Sequence, residues 1–153
     1  MVRVVLVHPQ IPPNTGNIAR TCAATSTELH LVGPIGFELS DRYLKRAGLD
    51  YWSYVTLHYH DSLQEFKYIH QKQGGRWIGF STGGKCSYVK FQFQKDDWLL
   101  FGSETTGLPP QVLNACDRVV YIPMSQSGVR SLNLSVSVAI GLLEARRQLG
   151  YLE

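Results

Sequence analysis

The sequence is short of the features that mark several large protein classes. No apolar run approaches the roughly 18 residues of a membrane helix, so no association with a membrane is expected. Its three cysteines are widely spaced and fit neither a zinc pattern nor a disulfide framework, which favours a reducing cytoplasm. No repeat, low-complexity tract or linker-like stretch divides the 153 residues, and we expect a single domain over 1–153.

Charge is also modest. A formal net charge of +3 permits an anionic partner but does not demand one. Hydrophobic residues make up 44% and charged residues 18%, values typical of a folded globular protein.

Strand and helix signals alternate along the chain, which predicts an α/β domain with a mainly parallel sheet flanked by helices. Predicted strands cover Val2–Val7, Glu28–Val32, Tyr54–His58, Arg76–Phe80, Trp98–Phe101 and Val119–Ile122. Predicted helices run from a cap at Asn14 to about Thr25, from Ser40 to Ala47, from a capping box at Ser62 to near Gly74, and from about Asn133 to Leu149.

Four irregular polar segments follow predicted strands. They are Pro9–Asn17, Gly79–Lys85, Gly102–Pro110 and Pro123–Asn133. Ligands of open parallel sheets bind beyond the carboxyl ends of the strands, so these segments are the predicted site.

The segment Gly79–Lys85 matches the spacing of a phosphate-binding loop, G-x-x-x-x-G-K, and an NTPase is therefore one alternative. Against it, Cys86 replaces the hydroxyl residue that would hold magnesium. Ser87–Phe93 alternates like a strand, so no helix N-terminus would support the phosphates. The other reading is a Gly-rich turn, either merely flexible or lining a ligand.

A second alternative concerns His58 and His60, which would face one side of a strand and could form a metal pair. No further ligands at metal-binding spacing accompany them, so a surface or interface role is favoured and no metal is expected.

Three ordered segments resemble the motifs of the SPOUT RNA methyltransferases. They are Pro12–Thr21, Leu100–Pro109, and Ile122–Met124 followed by Arg130–Val136. The similarity spans essentially the whole chain. Arg46–Tyr51 and Glu144–Gly150 are similar to segments of the TrmL-type group, which are tRNA (cytidine/uridine) 2′-O-methyltransferases.

The resemblance implies a C-terminal trefoil knot, S-adenosylmethionine as methyl donor with S-adenosylhomocysteine as product, and a tRNA substrate, with the wobble nucleotide of leucine tRNAs as target. It also implies a homodimer, which is expected independently because one small domain offers little surface for a tRNA. The cofactor residues implied are Phe80, Ser81, Thr82, Gly102, Ile122, Ser131, Leu132 and Leu134.

The same resemblance implies the catalytic residues Arg20, Asn14, Glu104, Ser131 and Asn133. The family assigns Arg20 the activating role. Because a guanidinium stays protonated to about pH 12, we expect it to stabilise charge rather than act as a base. Asn14 would orient Arg20, Ser131 and Asn133 would position the ribose, and Glu104 would order the loops. Expected contacts to RNA phosphates are Arg42, Lys45, Arg46 and Arg130.

A different class of function remains open at this point. The chain could be an RNA- or S-adenosylmethionine-binding regulator without turnover, although such a binder need not keep all five of the implied catalytic residues.

Overall fold

The computed structural model describes residues 1–40 and 49–153, and its strands form one seven-stranded sheet. The strands are β1 Arg3–Val7, β2 Leu29–Val32, β3 Leu57–His60, β4 Trp77–Phe80, β5 Cys86–Ser87, β6 Trp98–Phe101 and β7 Arg118–Tyr121. Their order is β3-β2-β1-β6-β4-β7-β5, and every neighbouring pair is parallel. The predicted α/β fold with a mainly parallel sheet is confirmed.

Helices cover both faces of this sheet. They are α1 Pro12–Ala24, α2 Leu63–Gln73, α3 Pro110–Ala115 and α4 Leu134–Gln148, with a 3₁₀ helix at Leu49–Tyr54. Ile18 of α1 and Leu142 of α4 belong to one buried cluster, whereas Phe66 of α2 and Val112 of α3 belong to another. Because both faces of the sheet are covered, the central strands β4 and β6 are apolar at every position instead of alternating apolar and polar residues. Within the described part of the chain, no helix has the length and apolar character needed to cross a membrane.

Side chains cap the starts of two helices, and the first of these is the capping box predicted at Ser62. Ser62 accepts a hydrogen bond from the Glu65 N–H at 3.2 Å, and the Glu65 carboxylate accepts one from the Asp61 N–H at 3.0 Å. Asn133 caps α4 by accepting from the Ser135 and Val136 N–H groups at 2.9 and 3.4 Å. Both caps satisfy backbone donors that a helix leaves free in its first turn.

The prediction that Asn14 caps the first helix is wrong. The helix α1 begins at Pro12, with Ile11 at the cap position and no capping side chain. Two prolines explain the difference, because their φ angles are already helical and they have no N–H groups to satisfy. Asn14 therefore lies inside the first turn, and its side chain is available for other partners.

Two predicted strands also need correction. Tyr54 ends the 3₁₀ helix, and β3 starts at Leu57 instead. The alternating segment Ser87–Phe93 is not a strand beyond Ser87, whose carbonyl accepts turn hydrogen bonds from Lys90 and Phe91. Its aromatic residues face the core from this irregular segment, which produces the alternation without a strand partner.

The strand β7 lies between β4 and β5, which are adjacent along the chain. Phe80 and Cys86 both pair with Val120, so residues 81–85 cross over β7 at that level. Gly84 makes the crossing possible, because a Cβ there would lie 2.5 Å from the Val120 carbonyl carbon. Residues 81–85 therefore form a short loop from β4 to β5, and the chain that leaves β7 continues past this loop.

Candidate active site

A cavity of about 420 Å³ opens beyond the carboxyl ends of β4, β6 and β7. The sequence-predicted cofactor residues all line it: Phe80, Ser81, Thr82, Gly102, Ile122, Ser131, Leu132 and Leu134. They come from four separate segments of the chain. The parallel sheet brings these segments together because its strands end at one edge.

Further residues of the cavity wall were not singled out from the sequence. They include Thr106, Leu108, Met124 and Ser137. Thr106 and Leu108 belong to the polar segment Gly102–Pro110 and Met124 to the segment Pro123–Asn133, both of which the sequence indicated as a whole. Nothing in their residue types alone distinguishes them from ordinary loop residues.

The loop after β6 folds back tightly on Gly102. Ser103 and Gly107 exchange two backbone hydrogen bonds, and the Ser103 and Thr106 hydroxyls are 2.6 Å apart. A Cβ on Gly102 would overlap the backbone of Gly107 and Leu108. Glycine is therefore required by the close approach of two backbone segments, which forms one wall of the cavity.

Glu104 joins the loop after β6 to the start of α1. Its two carboxylate oxygens accept hydrogen bonds from the Gln10 and Ile11 N–H groups, each at 2.9 Å, and the Asn14 amide lies 3.5 Å away. A carboxylate at a helix N-terminus is also favoured by the helix dipole. These hydrogen bonds connect the loop after β6 to the start of α1.

Asn14 extends this network to the last helix. Its Oδ1 accepts a hydrogen bond from Asn133 Nδ2 at 3.2 Å, and Asn133 in turn caps α4. One chain of hydrogen bonds therefore runs from Glu104 through Asn14 to Asn133. It links the segments that correspond to the three sequence motifs.

Arg20 has a different partner from the one expected. Its Nη2 donates to the Tyr51 hydroxyl at 2.8 Å, and its guanidinium carbon lies 4.3 Å from the Tyr51 ring centroid. The hydrogen bonds of Asn14 go to Glu104 and Asn133 instead. Tyr51 is thus the residue that orients Arg20. Sequence reasoning placed Tyr51 in a family segment but assigned it no role.

Only one of the four residues expected to contact RNA phosphates lies in the described part of the chain. Arg130 is exposed and lines the rim of the cavity beside Ser131. Three other expected contacts lie outside the described residues: Arg42, Lys45 and Arg46. The helix predicted from Ser40 to Ala47 also lies outside them, except for Ser40 itself.

Two of the alternatives lose support. The segment Gly79–Lys85 leads into β5 and a turn, so the helix N-terminus that a phosphate-binding loop requires does not follow it. The metal pair of His58 and His60 is the second, because the His60 Nε2 lies 2.9 Å from His30 Nδ1 instead. The burial of His60 also contradicts the surface or interface role favoured for it, whereas His58 is exposed as that role requires.

Two of the three cysteines are unsuited to nucleophilic catalysis. Burial raises the pKa of the Cys22 and Cys116 thiols to about 12, so both stay protonated at neutral pH. All three cysteines, including Cys86, are free.

Comparison with known proteins assigns the family. The model of the SpoU rRNA Methylase family matches residues 1–143. The chain belongs to this family. A relative from Synechocystis sp. is 62% identical over 149 residues, which cover 97% of each chain, and its name proposes a tRNA (cytidine(34)-2′-O)-methyltransferase.

Solved structures of family members share this fold. One comes from a study of the 2-OH methylation of C/U34 on tRNA. It superposes with a TM-score of 0.93 at 47% identity, and the match covers 98% of this chain and 97% of the other. The SpoU methyltransferase AviRb from Streptomyces viridochromogenes, in complex with AdoMet, superposes with a TM-score of 0.88 at 26% identity, covering 97% of this chain and 60% of that one. The seven-stranded parallel sheet is therefore the fold of SpoU methyltransferases.

Proposed function

We propose that this SpoU family member transfers a methyl group from S-adenosylmethionine to a tRNA ribose 2′-oxygen, at the wobble nucleotide 34 of leucine tRNAs. The observation that carries the proposal is the convergence of all eight cofactor residues on one cavity. The names of the Synechocystis sp. relative and of the C/U34 structure support the choice of nucleotide.

The cavity fits the methyl donor in size and chemistry. Its volume of about 420 Å³ lies in the range of small-molecule sites. Apolar side chains such as Leu108 and Leu134 offer a surface for a purine ring, and the hydroxyls of Ser81 and Thr82 offer polar partners. The AdoMet complex of AviRb supports the same ligand.

The bound cofactor supplies an electrophilic methyl group on a sulfonium. The ribose 2′-oxygen forms a bond to the methyl carbon as the carbon–sulfur bond breaks, and the 2′-hydroxyl proton leaves to water or to a nearby oxygen. Much of the rate comes from holding the reacting atoms in line, which is the task of the cavity walls, of Ser131 in that lining and of Asn133, two residues further along the chain.

Arg20 stabilises the negative charge that develops on the ribose oxygen and binds the neighbouring phosphate. Its hydrogen bond and stacking contact with Tyr51 hold the guanidinium before RNA arrives, so less reorganisation is needed during the reaction. The Glu104–Asn14–Asn133 network keeps the α1 and α4 N-termini in register with the cavity.

The proposal includes the C-terminal trefoil knot and one domain over 1–153. The crossing of residues 81–85 over β7 supports the knot, because the chain that leaves β7 must pass this loop to reach α4. One continuous sheet containing all seven strands of the described chain supports a single domain.

It also includes a homodimer, a cytoplasmic location and RNA contacts by Arg42, Lys45, Arg46 and Arg130. Val136 and Leu143 are 46% and 43% exposed on α4 and lie seven residues apart, on one side of the helix, which supports a self-association surface.

The three free cysteines support the proposed location in a reducing compartment.

Binding and turnover are tested together. Calorimetry is expected to show S-adenosylhomocysteine binding without ATP binding, and bulk tRNA is expected to accept labelled methyl groups from S-adenosylmethionine. Binding without methyl transfer to any RNA would instead establish a regulator, and ATP binding without S-adenosylhomocysteine binding would establish an NTPase.

A further inference from the structure

A second group of chemically active side chains lies on the α2 side of the sheet, near the start of the edge strand β3. Glu28 precedes β2, and His30 stands directly opposite His58 in the parallel register. Each residue offers one ligand atom, and the three atoms lie within 4.8 Å of one another. None of these residues lines the cavity of the candidate active site.

The spacing of the three atoms is close to that of a metal's inner ligands. The Glu28 Oε1 lies 3.0 Å from His30 Nε2 and 3.6 Å from His58 Nε2. Ligands about 2.0–2.1 Å from a tetrahedral zinc ion stand roughly 3.3 Å apart. Small side-chain movements therefore suffice to centre an ion between the three atoms.

His30 is already held as a metal-binding histidine usually is. Its Nδ1 lies 2.9 Å from His60 Nε2, and this contact is buried. Its ring also packs edge-on against Trp98, with ring centroids 4.9 Å apart. A hydrogen bond at the nitrogen remote from the metal fixes the tautomer and the direction of the ligating nitrogen.

A hydrogen-bonded chain from Glu28 through His30 to His60 would exist without a metal, but it leaves His58 unexplained. The His58 ring stacks on His30 at 4.6 Å and directs its Nε2 to the same carboxylate oxygen that His30 approaches. Two imidazole nitrogens converging on one oxygen form a set of donors rather than a linear chain.

We propose that Glu28, His30 and His58 bind a divalent late transition-metal ion, with zinc(II) as the reference ion, and that this ion cross-links β2 to the edge strand β3. Two imidazoles and one carboxylate are a donor set that suits such ions. The site opens onto a groove of about 1020 Å³ that His30, His58 and Tyr59 help to line, so water can complete the coordination.

One neighbouring charge opposes the ion. The Arg3 Nε lies 3.9 Å from Glu28 Oε1, and its guanidinium covers the face of Trp98 at 4.3 Å. Repulsion from this cation lowers the affinity but leaves the three donor atoms free of any covalent or steric block. The site requires no change in the residues proposed for methyl transfer.

The test is a zinc titration of the metal-stripped full chain against a chromophoric chelator. We expect one equivalent bound by the unaltered protein, and affinity at least about tenfold weaker in Glu28→Gln and His58→Gln. Both side chains reach solvent, so these variants should fold, which circular dichroism checks. His70→Gln, which removes a histidine on α2 outside the triad, should bind zinc like the unaltered protein.

Cobalt(II) gives a second readout. The expected spectrum has ligand-field bands without thiolate charge-transfer absorption, and zinc should raise the melting temperature of the unaltered chain but not of His58→Gln. The proposal is overturned by the absence of stoichiometric binding, by equal binding in His58→Gln, by an equal loss in His70→Gln, or by a thiolate spectrum. Activity in methyl transfer bears on none of these outcomes.

Discussion

Arg20 and Tyr51 form the pair on which the proposed charge stabilisation depends. Arg20→Lys keeps a positive charge but loses the planar donor that meets the Tyr51 hydroxyl at 2.8 Å. We expect the turnover rate at saturating tRNA to fall about 100-fold or more. Tyr51→Phe, which keeps the ring contact and loses one hydrogen bond, should cost roughly threefold to tenfold.

The matched control is Arg118→Lys, an exposed arginine at the start of β7 and away from the cavity, which should leave turnover unchanged. Near-normal turnover by Arg20→Lys would remove Arg20 from the mechanism. A loss in affinity for tRNA with unchanged turnover would limit it to phosphate binding.

His30 makes stability depend on pH. Burial is the main cause that lowers its pKa to about 4, although the Glu28 hydrogen bond raises it in part. The unfolded chain, with an ordinary histidine pKa near 6.5, binds more protons than the folded chain between pH 4 and 6.5. The free energy of unfolding should therefore fall by roughly 1–3 kcal/mol as the pH drops through that window.

Urea unfolding in the presence of a chelator measures this dependence. His30→Gln should flatten the profile between pH 4 and 6.5, whereas His70→Gln should retain it. A profile unchanged in His30→Gln would assign the pH dependence to other groups, of which buried His60 is the nearest, since burial also lowers its pKa.

At the scale of elements, the adjacent glycines Gly83 and Gly84 distinguish a glycine required by close packing from one that only makes the loop flexible. A Cβ on Gly84 would press on the Val120 backbone at 2.5 Å, whereas a Cβ on Gly83 would meet only the Ser81 hydroxyl at 3.8 Å. Gly84→Ala should lower the free energy of unfolding by about 1–3 kcal/mol and weaken S-adenosylhomocysteine binding, because the loop must move off β7.

Gly83→Ala is the control and should change stability by no more than about 0.5 kcal/mol. Chemical denaturation and calorimetry measure both effects. Equal destabilisation by the two variants would mean that loop flexibility, rather than contact with β7, matters there.

The same elements show how far the sequence could predict the molecule. Apolar runs and capping residues located the central strands and the helices α2 and α4, because these signals are local. The start of α1 was misplaced because two prolines substitute for a capping side chain. The segment after Ser87 was misassigned because buried aromatic residues also alternate in irregular structure.

At the site, the sequence could not predict contacts between segments that are far apart in the chain. The eight cofactor residues implied by the resemblance all line one cavity, but the Arg20–Tyr51 pair depends on how α1 and the 3₁₀ helix pack. The Glu28–His30–His58 cluster depends on the register of β2 and β3. Neither is a spacing that can be counted along one segment.

At the scale of the whole molecule, the exposed apolar stripe on α4 predicts the oligomeric state. Leu143→Arg places a charge on the same side of α4 as Val136 and should shift the proposed dimer towards monomer in sedimentation velocity. Tyr68→Arg, an exposed position on α2 across the sheet, is the control and should leave the sedimentation coefficient unchanged. A Leu143→Arg protein that remains fully dimeric would exclude this stripe as the interface.

The central claim is methyl transfer to the 2′-oxygen of tRNA nucleotide 34. It is tested most directly by incubating leucine tRNA with the protein and S-adenosylmethionine, then mapping 2′-O-methyl groups at single-nucleotide resolution. The account predicts one new 2′-O-methyl group, at nucleotide 34, that is lost with Arg20→Lys. A new methyl group at another nucleotide, or none with protein that binds S-adenosylhomocysteine, would contradict it.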